Sequence, residues 1–368
     1  MNDSDFMRLA LQLARKGCGW VAPNPMVGAV LVKDGRVIGQ GYHQRYGGPH
    51  AERNALASCT ESPAGATLYV TLEPCCHHGR QPPCTDAILE AGIARVVVGS
   101  GDPNPLVAGR GLALLRQRGV SVTEHVLEAE CQQLNPVFFH FIQTRRPYVV
   151  LKYAMTMDGK IATVTGASKW ITGEAARAHV QRQRHRYSAI LAGVGTVLAD
   201  DPQLTCRMEG GRQPLRVICD TQLRTPLSAQ VVQTADTVPT LLATCCTEEA
   251  RQAPYRQAGC RLLVLPKREG HVDLSALMAE LGAQGIDSVL VEGGAELNWS
   301  ILEQGLVQKL LVYLAPRLFG GSEAKSPIGG NGVPRPSDGI SLRNTTITRL
   351  GEDFLLESEV TVGVYRNH

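Results

Sequence analysis

His50-Ala51-Glu52, read with Glu73-Pro74-Cys75-Cys76-His77-His78-Gly79-Arg80-Gln81-Pro82-Pro83-Cys84, decides how the first half of the chain folds and what it can bind. One imidazole and two thiolates suit a tetrahedral Zn²⁺ and leave its fourth position to water. That is the ligand count of a catalytic site, because a structural site is normally closed by a fourth protein ligand. Glu52 follows His50 closely enough to move protons without binding the metal. The same residues leave one alternative open, a closed structural site in which Cys76 or His77 supplies the fourth ligand.

Around this motif strand and helix alternate. Ala66 to Leu72 is an apolar run of strand length, and Thr85 to Ala91 reads as a helix following Cys84. His50 and Glu52 open a helix that runs through Ala57, so its backbone amides turn a positive edge toward the motif. Upstream, Phe6, Leu9, Ala10 and Leu13 lie on one face of a helix over Asp5 to Lys16, ended by Gly17. Asp34-Gly35 between Val30-Leu31-Val32 and Val37-Ile38-Gly39 predicts a hairpin. Downstream come a strand at Arg95 to Val98, a helix at Arg110 to Arg118 and a strand at Val120 to Val126. This order argues a three-layer α/β/α sheet. A single helix-like stretch over Glu128 to Ile142 leads into Gln143-Thr144-Arg145-Arg146-Pro147, a charged segment closed by proline, which puts a boundary between domains at 1–145 and 146–368.

Length and composition agree with two domains. The chain has 368 residues, 43% hydrophobic and 19% charged, which is globular composition. A net charge of +3 and an aromatic content of 5% offer neither the basic groove nor the stacking rings that nucleic acid needs, so a nucleic-acid partner is disfavoured. Eleven cysteines, with no apolar run of secretory length in Met1 to Lys16, read as reduced thiols and metal ligands of a cytoplasmic protein that does not span a membrane. Homo-oligomerisation is left open.

The pattern H-x-E followed by P-C and a later cysteine resembles the cytidine-deaminase signature, in which a metal-activated water attacks an amidine-like ring carbon and the glutamate passes its proton to the departing amine. The wider gap from Cys75 to Cys84 is similar to that of the bifunctional riboflavin-biosynthesis deaminase-reductases of bacteria. By this resemblance His50, Cys75 and Cys84 are the zinc ligands and Glu52 is the catalytic residue. Cys75 is preferred to Cys76 because the family places its ligand directly after the proline that follows the strand, and serine is usual at the next position. In the same family Asn24 and the segment Asp102-Pro103-Asn104-Pro105 line the deaminase pocket. Turn formation is the competing role for both, and the favoured one for the second.

The second half contains short apolar runs at Ala189 to Gly193, Arg216 to Cys219, Pro239 to Ala243, Arg261 to Leu265, Ser288 to Val291 and Lys309 to Ala315, separated by helices such as Glu174 to Arg186, Asp273 to Leu281 and Ala295 to Glu303. No G-x-G-x-x-G follows a first strand, so a conventional Rossmann site is not supported. Glu292-Gly293-Gly294 after Ser288 to Val291 does suit close approach of a pyrophosphate to a helix N-terminus. Lys152 to Ala162, Ser168 to Thr172 and Gly195 to Pro202 are similar to the reductase half of the same family, which is dihydrofolate-reductase-like and uses NADPH. That resemblance implies that Ala154, Trp170, Thr196, Asp200, Thr221 and the turn beginning at Gly294 face NADPH. It implies that Ser168, Arg184, Leu204, Arg207 and Glu292 face a phosphorylated aminopyrimidine substrate. Arg184 lies among Arg182 and Arg186, where a solvated helix face is the competing reading. The expected whole is therefore a cytidine-deaminase-like three-layer α/β/α domain followed by a dihydrofolate-reductase-like α/β domain, served by Zn²⁺ and NADPH.

Overall fold

The computed structural model describes residues 1–79 and 81–361. The chain divides into two compact units between Arg145 and Arg146.

The first unit is built on five strands, β1 (Gly28–Lys33), β2 (Arg36–Tyr42), β3 (Thr67–Leu72), β4 (Arg95–Ser100) and β5 (Ser121–Thr123), in the order β2-β1-β3-β4-β5. β1 is antiparallel to β2 and β3, whereas β3, β4 and β5 run parallel. Successive side chains of a strand point to opposite faces, and here both faces are apolar. Val30, Val32, Tyr69 and Val97 pack with Phe6, Met7, Ala10 and Leu11 of the first helix. Ala29, Leu31, Leu68, Val70, Val96 and Val98 pack on the other side with Ala51, Ala55, Ile88, Leu112 and Leu115. Helices cover both faces of the sheet, which is the expected three-layer arrangement.

Three elements differ from the sequence expectation, each for a local reason. The first helix begins at Asp3 because Asn2 and Asp5 cap each other, with Asp5 N donating to Asn2 Oδ1 at 3.0 Å and Asn2 N donating to Asp5 Oδ2 at 2.9 Å. β5 stops at Thr123, and positive φ at His125 (63°) and Leu127 (56°) then turns the chain out of the sheet. Glu128 to Ile142 is two helices, Glu128–Leu134 and Pro136–Thr144. Between them Asn135 is buried, its amide accepting from Met26 N and donating to Met26 O, both at 2.8 Å. Pro136 then starts the second helix, where a missing N–H costs nothing.

The second unit is organised by a nine-stranded sheet. Its strands are β6 (Tyr148–Thr156), β7 (Ala189–Gly193), β8 (Leu215–Cys219), β9 (Thr240–Thr244), β10 (Arg261–Val264), β13 (Ser288–Val291), β14 (Lys309–Ala315), β15 (Leu342–Leu350) and β16 (Asp353–Val360). A separate ribbon pairs β11 (Lys267–Arg268) with β12 (His271–Val272). The order is β10-β9-β8-β7-β13-β6-β14-β16-β15. The strands from β10 to β14 are parallel, and the last two are antiparallel. Val149, Leu151, Ala189, Leu191, Val289 and Val291 are buried in its core, as parallel strands covered on both faces require. The chain moves outward through β7 to β10 and then returns β13 between β7 and β6, so the strand order reverses there. A reversal of this kind opens a crevice beyond the carboxyl ends of the strands. The terminal hairpin was not anticipated: β15 is exposed along nearly its whole length and has no buried alternation to announce it. Among the described residues no helix is long and apolar enough to cross a membrane.

Candidate functional site

His50 immediately precedes helix Ala51–Ala57, Cys84 is the first residue of helix Cys84–Glu90, and Cys75 follows β3 across Glu73-Pro74. His50 Nδ1 lies 3.5 Å from Cys75 Sγ and 3.4 Å from Cys84 Sγ, and the three donor atoms all lie within 4.8 Å of one another. The two cysteines are locked in register by backbone bonds: Cys75 O accepts from Cys84 N at 3.0 Å and from Thr85 N at 3.2 Å. Contact with the Cys84 thiol, and then with the His50 ring, holds Cys75 below the usual thiol range. The same contact, together with burial, pushes Cys84 upward. One thiolate therefore forms readily, while a second beside it calls for a cation, and an imidazole with two thiolates is a donor set that fits zinc.

Glu52 is 3% exposed beside these donors. Burial above all, and then the Cys75 sulfur, raises its carboxyl. Cys76 turns away, its Sγ directed at Leu106 O at 3.9 Å, and neither it nor His77 or His78 belongs to the donor group. Arg80, quoted in the sequence motif, lies outside the described residues.

Asn24 reaches this pocket through a residue that sequence reasoning missed. Asn24 Nδ2 is 3.2 Å from His43 Nε2, His43 Nδ1 is 3.0 Å from Pro49 O, and the His43 ring meets His50 edge-on at 5.3 Å. A carbonyl only accepts, so Nδ1 carries the His43 proton and Nε2 accepts from the amide, which fixes how Asn24 is turned. Burial lowers the His43 pKa, in keeping with that neutral ring. Asp102 Oδ1 accepts from Asn104 N at 2.8 Å and Asn104 Oδ1 accepts from Leu106 N at 3.1 Å, which are successive turn contacts. Burial raises the Asp102 carboxyl to about 6.

Glu73 is the second residue that was missed. It is buried, and its carboxylate accepts from Gly109 N at 2.9 Å, Gly111 N at 3.1 Å and Leu112 N at 3.4 Å, tying the approach to Cys75 onto the start of helix Arg110–Gln117. Glycine is required at 111, because a Cβ there would stand 2.2 Å from Pro74 O. A charged residue placed directly between an apolar strand and a proline was the available signal.

In the second unit a cleft of about 1310 Å³ opens at the strand reversal, and Ala154, Ser168, Trp170, Arg184, Thr196, Asp200, Leu204, Arg207, Thr221, Glu292 and Gly294 all line it. Glu292, just beyond β13, is gripped by Arg184 through Nε at 2.7 Å and Nη2 at 3.0 Å, and by Lys152 Nζ at 3.4 Å. Burial alone would raise the Glu292 carboxyl, but Arg184 and Lys152 overrule it and hold it at about 2. Arg184 is thus an interior residue, with a side chain 11% exposed, and the solvated face belongs to Arg182. Lys152 was quoted in the sequence without a role. Its signal is a lone cation in the otherwise apolar start of a central parallel strand.

Other groups shape the walls of the cleft. Ser168 Oγ donates to Asp200 Oδ1 at 3.2 Å, and Lys169 Nζ donates to Asp200 O at 3.2 Å. Trp170 is 59% exposed and carries the Arg177 guanidinium 4.8 Å above its ring. Leu204 is buried at a φ of 51°, while Arg207 is exposed, with its backbone N held by Gln181 Oε1 at 2.8 Å. Thr221 Oγ1 accepts from Val272 N of the β11-β12 ribbon at 3.2 Å.

The glycine pair divides its duties. A Cβ on Gly293 would meet Leu297 Cδ2 at 2.8 Å and Asn298 Oδ1 at 3.0 Å, so a side chain there would make these neighbours shift. A Cβ on Gly294 would meet nothing closer than Thr196 Oγ1 at 3.9 Å. Position 294 therefore leaves open space at the N-terminus of helix Ala295–Glu303, a cradle that fits a pyrophosphate.

A cluster of soft donors beside a buried glutamate, and a strand-reversal cleft with an open glycine turn, define a chain that joins a deaminase-type zinc unit to a reductase-type unit. Residues 1–100 match the cytidine and deoxycytidylate deaminase zinc-binding region, and residues 147–356 match the RibD C-terminal domain. The chain is 55% identical over 357 residues to the riboflavin biosynthesis protein RibD of Actinobacillus pleuropneumoniae, covering 97% of this chain and 95% of that one. It is 43% identical to the protein of the same name from Escherichia coli, covering 97% and 99%. Among solved structures, RibD of Acinetobacter baumannii superposes with a TM-score of 0.88 at 37% identity, covering 98% and 99%. The Thermotoga maritima diaminohydroxyphosphoribosylaminopyrimidine deaminase/5-amino-6-(5-phosphoribosylamino)uracil reductase does so with a TM-score of 0.84 at 40% identity, covering 97% and 98%. This chain belongs to the RibD family of riboflavin biosynthesis proteins.

Proposed function

We propose that the chain catalyses two consecutive steps of riboflavin synthesis. In the first unit, 2,5-diamino-6-(ribosylamino)-4(3H)-pyrimidinone 5′-phosphate is hydrolysed at its 2-amino group, giving a carbonyl and ammonia. In the second, the ribosyl side chain of 5-amino-6-(5-phosphoribosylamino)uracil is reduced to ribityl. The observation that carries this reading is the meeting of His50, Cys75 and Cys84 donors within 4.8 Å, with Glu52 buried beside them.

His50, Cys75 and Cys84 would hold zinc, which would supply the Lewis acidity for activating water near neutral pH. Glu52 is the group that would take a proton from the attacking water and return it to the leaving amine, a transfer its burial protects from bulk solvent. Asn24, turned by His43, offers its free carbonyl oxygen to the pyrimidine edge. In the cleft, NADPH supplies the hydride. The Gly294 turn and the helix behind it would receive the pyrophosphate, and Ala154, Trp170, Thr196, Asp200 and Thr221 would face NADPH. On the substrate side, Arg184 and Lys152 fix Glu292, with Ser168 and Leu204 alongside. Arg207 offers its guanidinium fork to the phosphomonoester. A cytoplasmic setting, where thiols stay reduced, suits the Cys75 and Cys84 donors.

The test is incubation of the purified chain with the diaminopyrimidinone phosphate, followed by mass measurement. Without NADPH the product should exchange one amine for oxygen, and with NADPH it should gain two further hydrogens. Zinc-loaded protein that releases no ammonia would show the metal to be a staple rather than a catalyst.

A further inference from the structure

Residues 202–207 carry Leu204 and Arg207 into the cleft wall, and among the described residues none of their backbone groups bonds to another backbone group. Side chains from elsewhere take that place. Arg216, buried in β8, donates from Nη1 to Gln203 O at 3.1 Å, and Arg184 donates from Nη1 to Thr205 O at 2.9 Å. Gln213 holds Cys206 from both sides, its Oε1 accepting from Cys206 N at 2.9 Å and its Nε2 donating to Cys206 O at 2.7 Å. Gln181 Oε1 accepts from Arg207 N at 2.8 Å, and Gln181 O accepts from the buried Cys206 thiol at 3.5 Å. Leu204 (φ 51°) and the neighbouring Asp201 (φ 39°) have left-handed backbone, which residues with a Cβ adopt only at a cost, so the loop would relax without these ties.

The ties converge on Arg207. Its side chain is exposed, and among the described residues its guanidinium has no hydrogen bond or ion pair. The backbone is fixed while the cation is free, which suits a group kept for a ligand, because the ordering is done before the ligand arrives. Gln181 and Arg184 lie three apart on helix Glu174–Arg186, so the helix face that grips Glu292 also sets the place of Arg207. A guanidinium fork meets two phosphate oxygens in one orientation, and a shift of about 1 Å in the backbone beneath it is felt as lost affinity. We propose that Gln181 and Gln213 are positioning residues for phosphate recognition: by holding Cys206 and Arg207 they aim the guanidinium at the phosphomonoester, and so set the preference of the second unit for a phosphorylated over a dephosphorylated ribosylaminouracil. This rests on the reductase reading of the cleft.

The test is steady-state NADPH oxidation by the full chain with 5-amino-6-(5-phosphoribosylamino)uracil and with its 5′-dephosphorylated counterpart. Gln181→Met and Gln213→Met keep the length of each side chain and remove its hydrogen bonds. Each should raise the KM for the phosphorylated substrate roughly three- to tenfold, the worth of one or two hydrogen bonds. Its kcat, and turnover of the dephosphorylated substrate, should stay within about twofold of the unmodified chain. In an Arg207→Ala background the same substitutions should add less than about twofold, because the group they position is gone. Gln213→Glu keeps the acceptor for Cys206 N and loses the donor to Cys206 O; it should show the same split and serves if Gln213→Met folds poorly. A purely structural role would weaken both substrates alike and add in full to Arg207→Ala. Either result overturns the assignment, as does an unchanged KM for the phosphorylated substrate in both methionine variants. Unmodified chain that reduces both substrates with equal KM also overturns the assignment and leaves the reductase reading intact, whereas unmodified chain that oxidises NADPH with neither overturns both.

Discussion

The metal pocket of the first unit and the cleft of the second handle buried charge in opposite ways. The pocket gathers groups that are negative when ionised: two cysteines in contact and a glutamate with almost no exposure, with one imidazole among them. It is electrically incomplete without a cation. The cleft instead surrounds its deeply buried carboxylate, Glu292, with Arg184 and Lys152, so this buried charge has its partners before any ligand arrives. A ligand-free chain should therefore be finished in its second unit and unfinished in its first.

The largest way to break this contrast is to take the cation away. Chelation, or Cys75→Ser or Cys84→Ser, should abolish ammonia release and leave NADPH-dependent reduction of the uracil substrate in place, with zinc content followed by metal analysis. Cys76→Ser should keep both zinc and activity, because its sulfur faces Leu106. Equal zinc loss from all three serine variants would mean a closed structural site.

Glu52→Gln is next in size. It should retain zinc yet lower deamination by roughly 10²–10⁴-fold, with reduction unaffected. Near-normal ammonia release from this variant would remove Glu52 from the reaction.

On the cleft side, Glu292→Gln leaves Arg184 and Lys152 without their carboxylate and should destabilise the second unit by about 3–5 kcal/mol in thermal or denaturant unfolding. The pH dependence carries a matching signature. Glu292 is held at about 2, below the ordinary 4.5, so its stabilisation is complete above about pH 4.5 and disappears as pH falls toward 2. The glutamine variant should lack that acid limb, and an unchanged acid limb would show that other carboxylates set it.

The smallest effects sharpen the contrast by separating ligands within the cleft. Gly294→Val occupies space that no protein atom needs and should raise the apparent NADPH constant with little change in melting temperature. Arg207→Ala should weaken substrate by roughly 1.5–3 kcal/mol and spare NADPH, as read from steady-state kinetics and fluorescence titration. If each variant shifted the other ligand, the two ends of the cleft would have to be exchanged.

The two sites also differed in how they could be read from the sequence. His50, Glu52, Cys75 and Cys84 carry scarce chemistry at short spacing, so composition and order sufficed to draw attention to them. The cleft is assembled from strand ends between Lys152 and Glu292, and only the family pattern gathered Ser168, Thr196, Thr221 and Gly294 in advance. Long-range contacts escaped altogether. The helix over Glu128 to Ile142 looked continuous because the bond from Asn135 to Met26 has no local trace. His43 gave no sign of standing between Asn24 and His50. The β15-β16 hairpin was invisible because an exposed edge strand needs no alternating pattern.

Glu73 has a consequence for the timing of solvent exchange. The first amides of a helix normally lack intrahelical acceptors and trade their hydrogens early. At the start of helix Arg110–Gln117, however, the amides of Gly109, Gly111 and Leu112 are held by a buried carboxylate that sits two positions before Cys75. Their deuterium uptake becomes a clock for the segment bearing that sulfur: these protons wait until the strand end lets go, and their slowest phase reports how often the pocket comes apart.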